Sequence, residues 1–198
     1  LAPPLDFNNE PLVNPRDEVK TGLGDRDNTS QLDTRDPVEL ANEKQTLAAV
    51  GNLVSDLLDA INACDQQSGD VNRYLACLSD ALNAFAGELD AIATDLPPGM
   101  QNVAQIVQDA RVQIDTARQR AQMRLATATS DAERDTIRID AVNEARAALT
   151  NASNEIRKAI ALVRVEDPEL ALIQRATINQ TASALDTVGI SLARATGL

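Results

Sequence analysis

Between Val71 and Leu96 the residues Val71, Leu75, Leu78, Leu82, Phe85, Leu89, Ile92 and Leu96 succeed one another in unbroken alternating steps of four and three. A mean step of 3.5 residues puts all of them on one stripe of an α-helix, and no strand could bury them on a single face. The segment before it carries the same signal: Leu40, Leu47, Val54 and Ile61 recur every seven residues, with Val50 and Leu57 between them. Asp36-Pro37-Val38-Glu39 opens that first helix with an N-cap residue, a first-turn proline and an early acid. The run Gln66 to Asp70 supplies a turn, and Pro97-Pro98-Gly99 ends the second helix. Two helices of about 27 residues therefore form an αα-hairpin about 40 Å long.

From Met100 to Asp167 there is neither Gly nor Pro. Val103, Val107, Ala110, Ile114, Ala117 and Ala121 hold one heptad run, and Val142, Ala145, Leu149, Ala152, Ile156, Ala159 and Val163 hold another in phase with it. Between them the seam positions become Arg124, Asp131, Asp135 and Arg138, and Ser130-Asp131-Ala132-Glu133 has the form of a capping box. Residues 100–166 thus read either as a hairpin turning near Thr127 to Ser130 or as one helix near 100 Å long. Asp167-Pro168-Glu169 opens a last helix with a poorer stripe, Ile178, Leu185, Val188, Leu192 and Ala195, which shares its face with Gln174 and Thr181. The expected fold class is all-α: an elongated antiparallel helical bundle or coiled coil of four or five helices, over 37–65, 70–96, 100–128, 130–166 and 168–196. Composition agrees, since 43% of the chain is hydrophobic but only 2% aromatic, and alanine is its main apolar residue. Such side chains suit closely packed helices, and eight Gly with eight Pro are few for a turn-rich β-fold.

Residues 1–36 have no helical period. Pro3, Pro4, Pro11, Pro15, Gly22 and Gly24 punctuate them, and isolated apolar residues are set between the breaks. The segment reads as an extended arm whose Leu5, Phe7, Leu12, Val13, Val19 and Leu23 serve as assembly anchors on another surface. Asp25, Asp27, Thr29, Asp33 and Asp36 loosely match a calcium loop, but Ser30 stands where that loop needs glycine and the last position lacks a bidentate Glu. A solvated acidic linker is the simpler reading, and no metal is expected.

Charge divides the chain. The first 36 residues hold eight acids against four bases, residues 37–100 ten against two, and residues 101–198 twelve of each. The net charge of -12 therefore lies in the first half. With no basic stripe, nucleic-acid binding is not expected. The absence of histidine removes the usual general base and the commonest metal ligand, so Ser/His/Asp and Cys/His catalysis are closed to the chain. Carboxylate chemistry stays open, although a sugar cleft would need aromatic platforms. The residues predict no enzyme and no cofactor.

Cys64 and Cys77 lie almost symmetrically about the first turn, where facing helical positions can reach disulfide distance. Together with Leu1-Ala2-Pro3-Pro4, which resembles many mature N-termini, the pair points to an exported protein, secreted, extracellular or periplasmic, with a bacterial source favoured. No uninterrupted apolar stretch approaches the roughly 18 residues of a membrane span, and no transmembrane segment is expected. Arg111, Arg118, Arg120 and Arg124 could form a patch for a polyanion, but Asp109 and Asp115 favour ion pairs along a wet helix face. The sequons at Asn28, Asn151 and Asn179 matter only in a eukaryotic secretory pathway. These readings converge on a structural, self-assembling protein, with a filament among the forms considered, whose arm docks on a neighbouring subunit. The alternative is a monomeric surface or periplasmic module that binds another protein.

Overall fold

The computed structural model describes residues 36–165 and 167–198. Among them 88% are helical and none is in a strand; five helices pack against each other. The helices are α1 (Pro37–Cys64), α2 (Val71–Ala91), α3 (Val103–Leu125), α4 (Asp131–Arg157) and α5 (Pro168–Thr196). Glu43–Val163 and Ile173–Leu198 make one compact unit. The first turns of α1 and α5 fall in a second unit. In each of those turns an aspartate satisfies main-chain N–H groups that have no partner within the helix. Asp36 Oδ1 accepts from Val38 N at 2.7 Å, and Asp167 Oδ1 accepts from Glu169 N and Leu170 N at 2.9 and 3.1 Å.

Local chemistry sets the other ends. Asp70 caps α2 by accepting from Arg73 N, and Ser130 Oγ caps α4 by accepting from Glu133 N at 3.1 Å. The Glu133 carboxylate reaches back to Thr129 rather than to Ser130, so the capping box is shifted by one residue on one side. The chain turns between α3 and α4 at residues 126–130 without glycine, because Ala126 and the short Thr127–Ser130 run need no left-handed backbone. Gly197, with φ +73°, ends α5: its successor Leu198 donates to Ala193 O and Gly197 donates to Arg194 O.

Some boundaries differ from those the sequence predicts. α2 stops at Ala91 and the chain tightens into a 3-10 turn at Ala93–Asp95, because the approaching Pro97-Pro98 cannot continue an α-helix. Likewise α4 ends at Arg157 and residues Lys158–Leu162 are 3-10. The seam of α4 also differs: Ile137 and Ala141 turn inward, while Asp131, Asp135 and Arg138, placed on the seam by strict heptad counting, are exposed. A helix of 3.6 residues per turn drifts off a 3.5 register, and here one shift exchanges charged for apolar positions.

Within the larger unit, successive helices are neighbours and run antiparallel. Arg118 on α3 meets Asn72 on α2, Arg120 and Arg124 meet Glu144 and Asp140 on α4, and Arg157 meets Asp186 on α5. α5 then lies beside α1 in the same direction: Glu43 faces Gln174, Gly51 faces Gln180 and Asp65 faces Arg194. The core is aliphatic, with Leu47, Val54 and Ile61 on α1, Leu75, Leu82 and Phe85 on α2, Val107 and Ile114 on α3, Leu149 and Ile156 on α4, and Leu185 and Leu192 on α5. Averaged over 18 residues, the segment Pro37–Gln67 reaches a mean hydropathy of 1.3, long and apolar enough to cross a membrane by length and composition alone. Counting uninterrupted apolar residues misses it. Its apolar stripe from Leu47 to Ile61 is buried in the bundle, as in a core helix.

Candidate functional site

The hairpin between α1 and α2 is closed by a disulfide. Cys64 and Cys77 are bonded, with Cα atoms 5.7 Å apart across a separation of thirteen residues, and Cys64 is wholly buried. Beside it, Tyr74 is also buried, and its hydroxyl donates to Asp65 Oδ1 at 3.4 Å. The other oxygen of Asp65 lies 3.7 Å from the Arg194 guanidinium, which brings the last turn of α5 to the same corner. Burial, followed by the negative charge and hydrogen bond of Asp65, pushes the Tyr74 hydroxyl up to about 12, against a smaller opposing pull from Arg194.

Away from that corner the outer faces of α1 and α2 carry exposed carboxylates of one sign. Asp56, Asp59, Asp80 and Glu88 are exposed, and none of them is in an ion pair among the described residues. The arginines of α3 and α4 behave differently. Arg118 chelates Asp115 at 3.0 and 2.8 Å within its own helix, whereas Arg120 and Arg124 cross to Glu144 and Asp140 on α4 at 2.7 and 3.2 Å. Asp109 instead accepts from the Gln105 amide. The arginine cluster is therefore mostly a ladder of partnered charges, and only Arg111 keeps a buried Nε without a hydrogen-bond partner.

Between α4 and α5, Arg157 bridges Ser153 Oγ and Asp186 at 2.5 and 2.7 Å. The groove between α3 and α4, about 260 Å³, is lined by the Arg120–Glu144 and Arg124–Asp140 pairs, and that between α4 and α5, about 320 Å³, by Asp186, Arg146 and mainly apolar residues. Among the described residues no group of three acids or cysteines could hold a metal ion. No protein-family model, curated protein or solved structure matches the chain.

The anchors Leu5, Phe7, Leu12, Val13, Val19 and Leu23, and Asp25, Asp27, Thr29 and Asp33 of the loose calcium pattern, lie outside the described residues. Asp36, the last of that pattern, is the cap of α1. Asn151 and Asn179 are exposed on α4 and α5. Sequence reasoning did not foresee the Tyr74–Asp65–Arg194 corner or the Arg157–Asp186 bridge. Their members are far apart along the chain and share no local spacing; the one signal present was Tyr74 next to the seam residue Leu75.

Proposed function

We propose that this chain is a structural, self-assembling protein, an exported helical-bundle subunit of an extracellular or cell-surface assembly whose N-terminal arm docks on a neighbouring subunit. The observation that carries this reading is the unpaired carboxylate face of α1 and α2 on a chain whose second half is charge-balanced and rich in arginine. A surface on which Asp56, Asp59, Asp80 and Glu88 outnumber the two bases Lys44 and Arg73 repels itself in the isolated subunit and gains from an oppositely charged neighbour. A head-to-tail contact between unlike faces propagates, and propagation leads to rings or filaments. The disulfide supports an oxidising compartment outside the cytoplasm.

Light scattering on the full chain tests the reading. The expected mass is a multiple of 21.2 kDa that falls as salt is raised to about 1 M, where exposed charges farther apart than about 3 Å are screened. Deleting residues 1–35 is expected to leave the circular dichroism of the bundle helical, because α1 to α5 all lie within residues 37–196, and to reduce the mass to that of a monomer. A full chain that stays monomeric at every concentration overturns self-assembly and leaves the monomeric protein-binding module. A truncated chain that assembles normally overturns the role of the arm.

A further inference from the structure

At the end of the bundle that holds the first turn, α3 outruns α2. Arg118 sits opposite Asn72, the second residue of α2, yet α3 continues for seven more residues to Leu125, about 10 Å further. The α3 stripe thus extends past its cover: Ile114 and Ala117 are buried, whereas Ala121 and Leu125 are half-exposed. Under this overhang lies a cavity of about 370 Å³, within the range of small-molecule sites. Val71, Leu75, Ala121 and Leu125 give it an apolar floor, and Asn72, Gln122, Arg118 and Arg138 give it a polar rim.

The rim is poised for an anion. Arg118 commits Nε and one terminal nitrogen to Asp115 at 3.0 and 2.8 Å. Its other terminal nitrogen, Nη1, has only two long contacts with neutral acceptors, Asn72 Oδ1 at 3.4 Å and Gln122 Oε1 at 3.3 Å. Both are replaceable, because a carboxylate oxygen makes a charge-assisted bond near 2.8 Å to the same nitrogen, and both amides can rotate to donate to it. Arg138 spends one nitrogen on Asp135 at 3.1 Å and keeps others. The acid at the rim, Asp70, is already occupied by the main chain and side chain of Arg73. The positive end of α2 adds to the same potential.

We infer that this cavity is a binding site for a small amphipathic carboxylate, its apolar tail on Val71, Leu75, Ala121 and Leu125 and its carboxylate on Arg118 Nη1. The site lies within one subunit and does not depend on self-assembly. Octanoate serves as the probe, with octan-1-ol lacking the charge and acetate lacking the tail. Calorimetric titration of the full chain is expected to show saturable octanoate binding, with each control weaker by about tenfold or more. Arg118→Gln is expected to weaken octanoate about tenfold and leave octanol unchanged. Asn72→Asp has the same expected effect by placing a permanent carboxylate on Nη1. It also keeps the fold safe, since an acid in the first turn of α2 stabilises the helix. Absence of saturable octanoate binding up to about 10 mM, or binding that both variants leave unchanged, overturns the assignment.

Discussion

Replacing both half-cystines by alanine is expected to lower the stability of the bundle by about 3 to 4 kcal/mol. The cross-link joins residues thirteen apart in sequence, so it closes a loop of about 14 residues in the unfolded chain. Releasing such a loop returns about 10 cal/mol/K of chain entropy to the unfolded ensemble, or about 3 kcal/mol at 25 °C. The folded state adds a smaller loss, because Cys64 is wholly buried and removing its sulfur leaves a void worth about 1 kcal/mol at most. For a chain of this length each kcal/mol moves the unfolding midpoint by about 2 to 4 °C, so a fall of roughly 6 to 16 °C is expected. Urea unfolding followed by far-UV circular dichroism would measure it, with oxidised and Cys64→Ala/Cys77→Ala proteins compared at one protein concentration, because assembly shifts the equilibrium by mass action. A loss under about 1 kcal/mol would refute the reasoning. It would mean that the unfolded chain already keeps the first hairpin together, and that the bond restricts little.

Two other expectations concern single residues. Tyr74 is expected to ionise near 12 in a spectrophotometric titration, and the sign of its effect on stability follows. Between about pH 10 and 12 the unfolded chain gives up the tyrosine proton while the folded chain retains it, so stability is complete below 10 and declines through that window. Tyr74→Phe should remove that decline from the pH dependence of urea unfolding, and an unchanged slope would contradict the burial of the hydroxyl. Gly87→Ala is expected to stabilise the chain by about 0.5 to 1 kcal/mol, since Gly87 sits inside α2, its φ is not positive and an added Cβ would meet nothing within 4 Å. A lower thermal midpoint for that variant would count against the helix geometry at that position.

The helices were legible because their signals are local. Apolar steps of four and three, Asp-Pro at two helix starts and Gly197 near the end are each read within a few residues, and α1, α2 and α5 follow from them. The region between α3 and α4 was ambiguous because its turn uses Ala126 to Ser130, residues that a helix also accepts, and the decision rests on how α3 and α4 pack. The alanine-rich seam hides a similar limit. A shift from Arg138 to Ile137 and Ala141 moves charge outward, and only the neighbouring helices determine that register. Cys64 and Cys77 could be paired in advance because the turn makes them facing positions. The cavity under the overhang could not, since it arises from unequal helix lengths, which boundaries read from sequence do not fix.

A bundle that closes on itself with an odd number of alternating helices must contain one pair that points the same way, and here that pair is α1 and α5. Helices that share a direction cannot be joined by a short turn, because the end of one lies a whole helix length from the start of the other. From Glu43 to Cys64, and from Gln174 to Thr196, that length is about 30 Å. A circular permutant joining the C-terminal end of α5 to α1 would need a linker of roughly ten residues even when fully extended. The same geometry makes the bundle a natural spacer: fused between two other domains through α1 and α5, it would hold them at opposite poles, where an even-numbered bundle would bring both to one side.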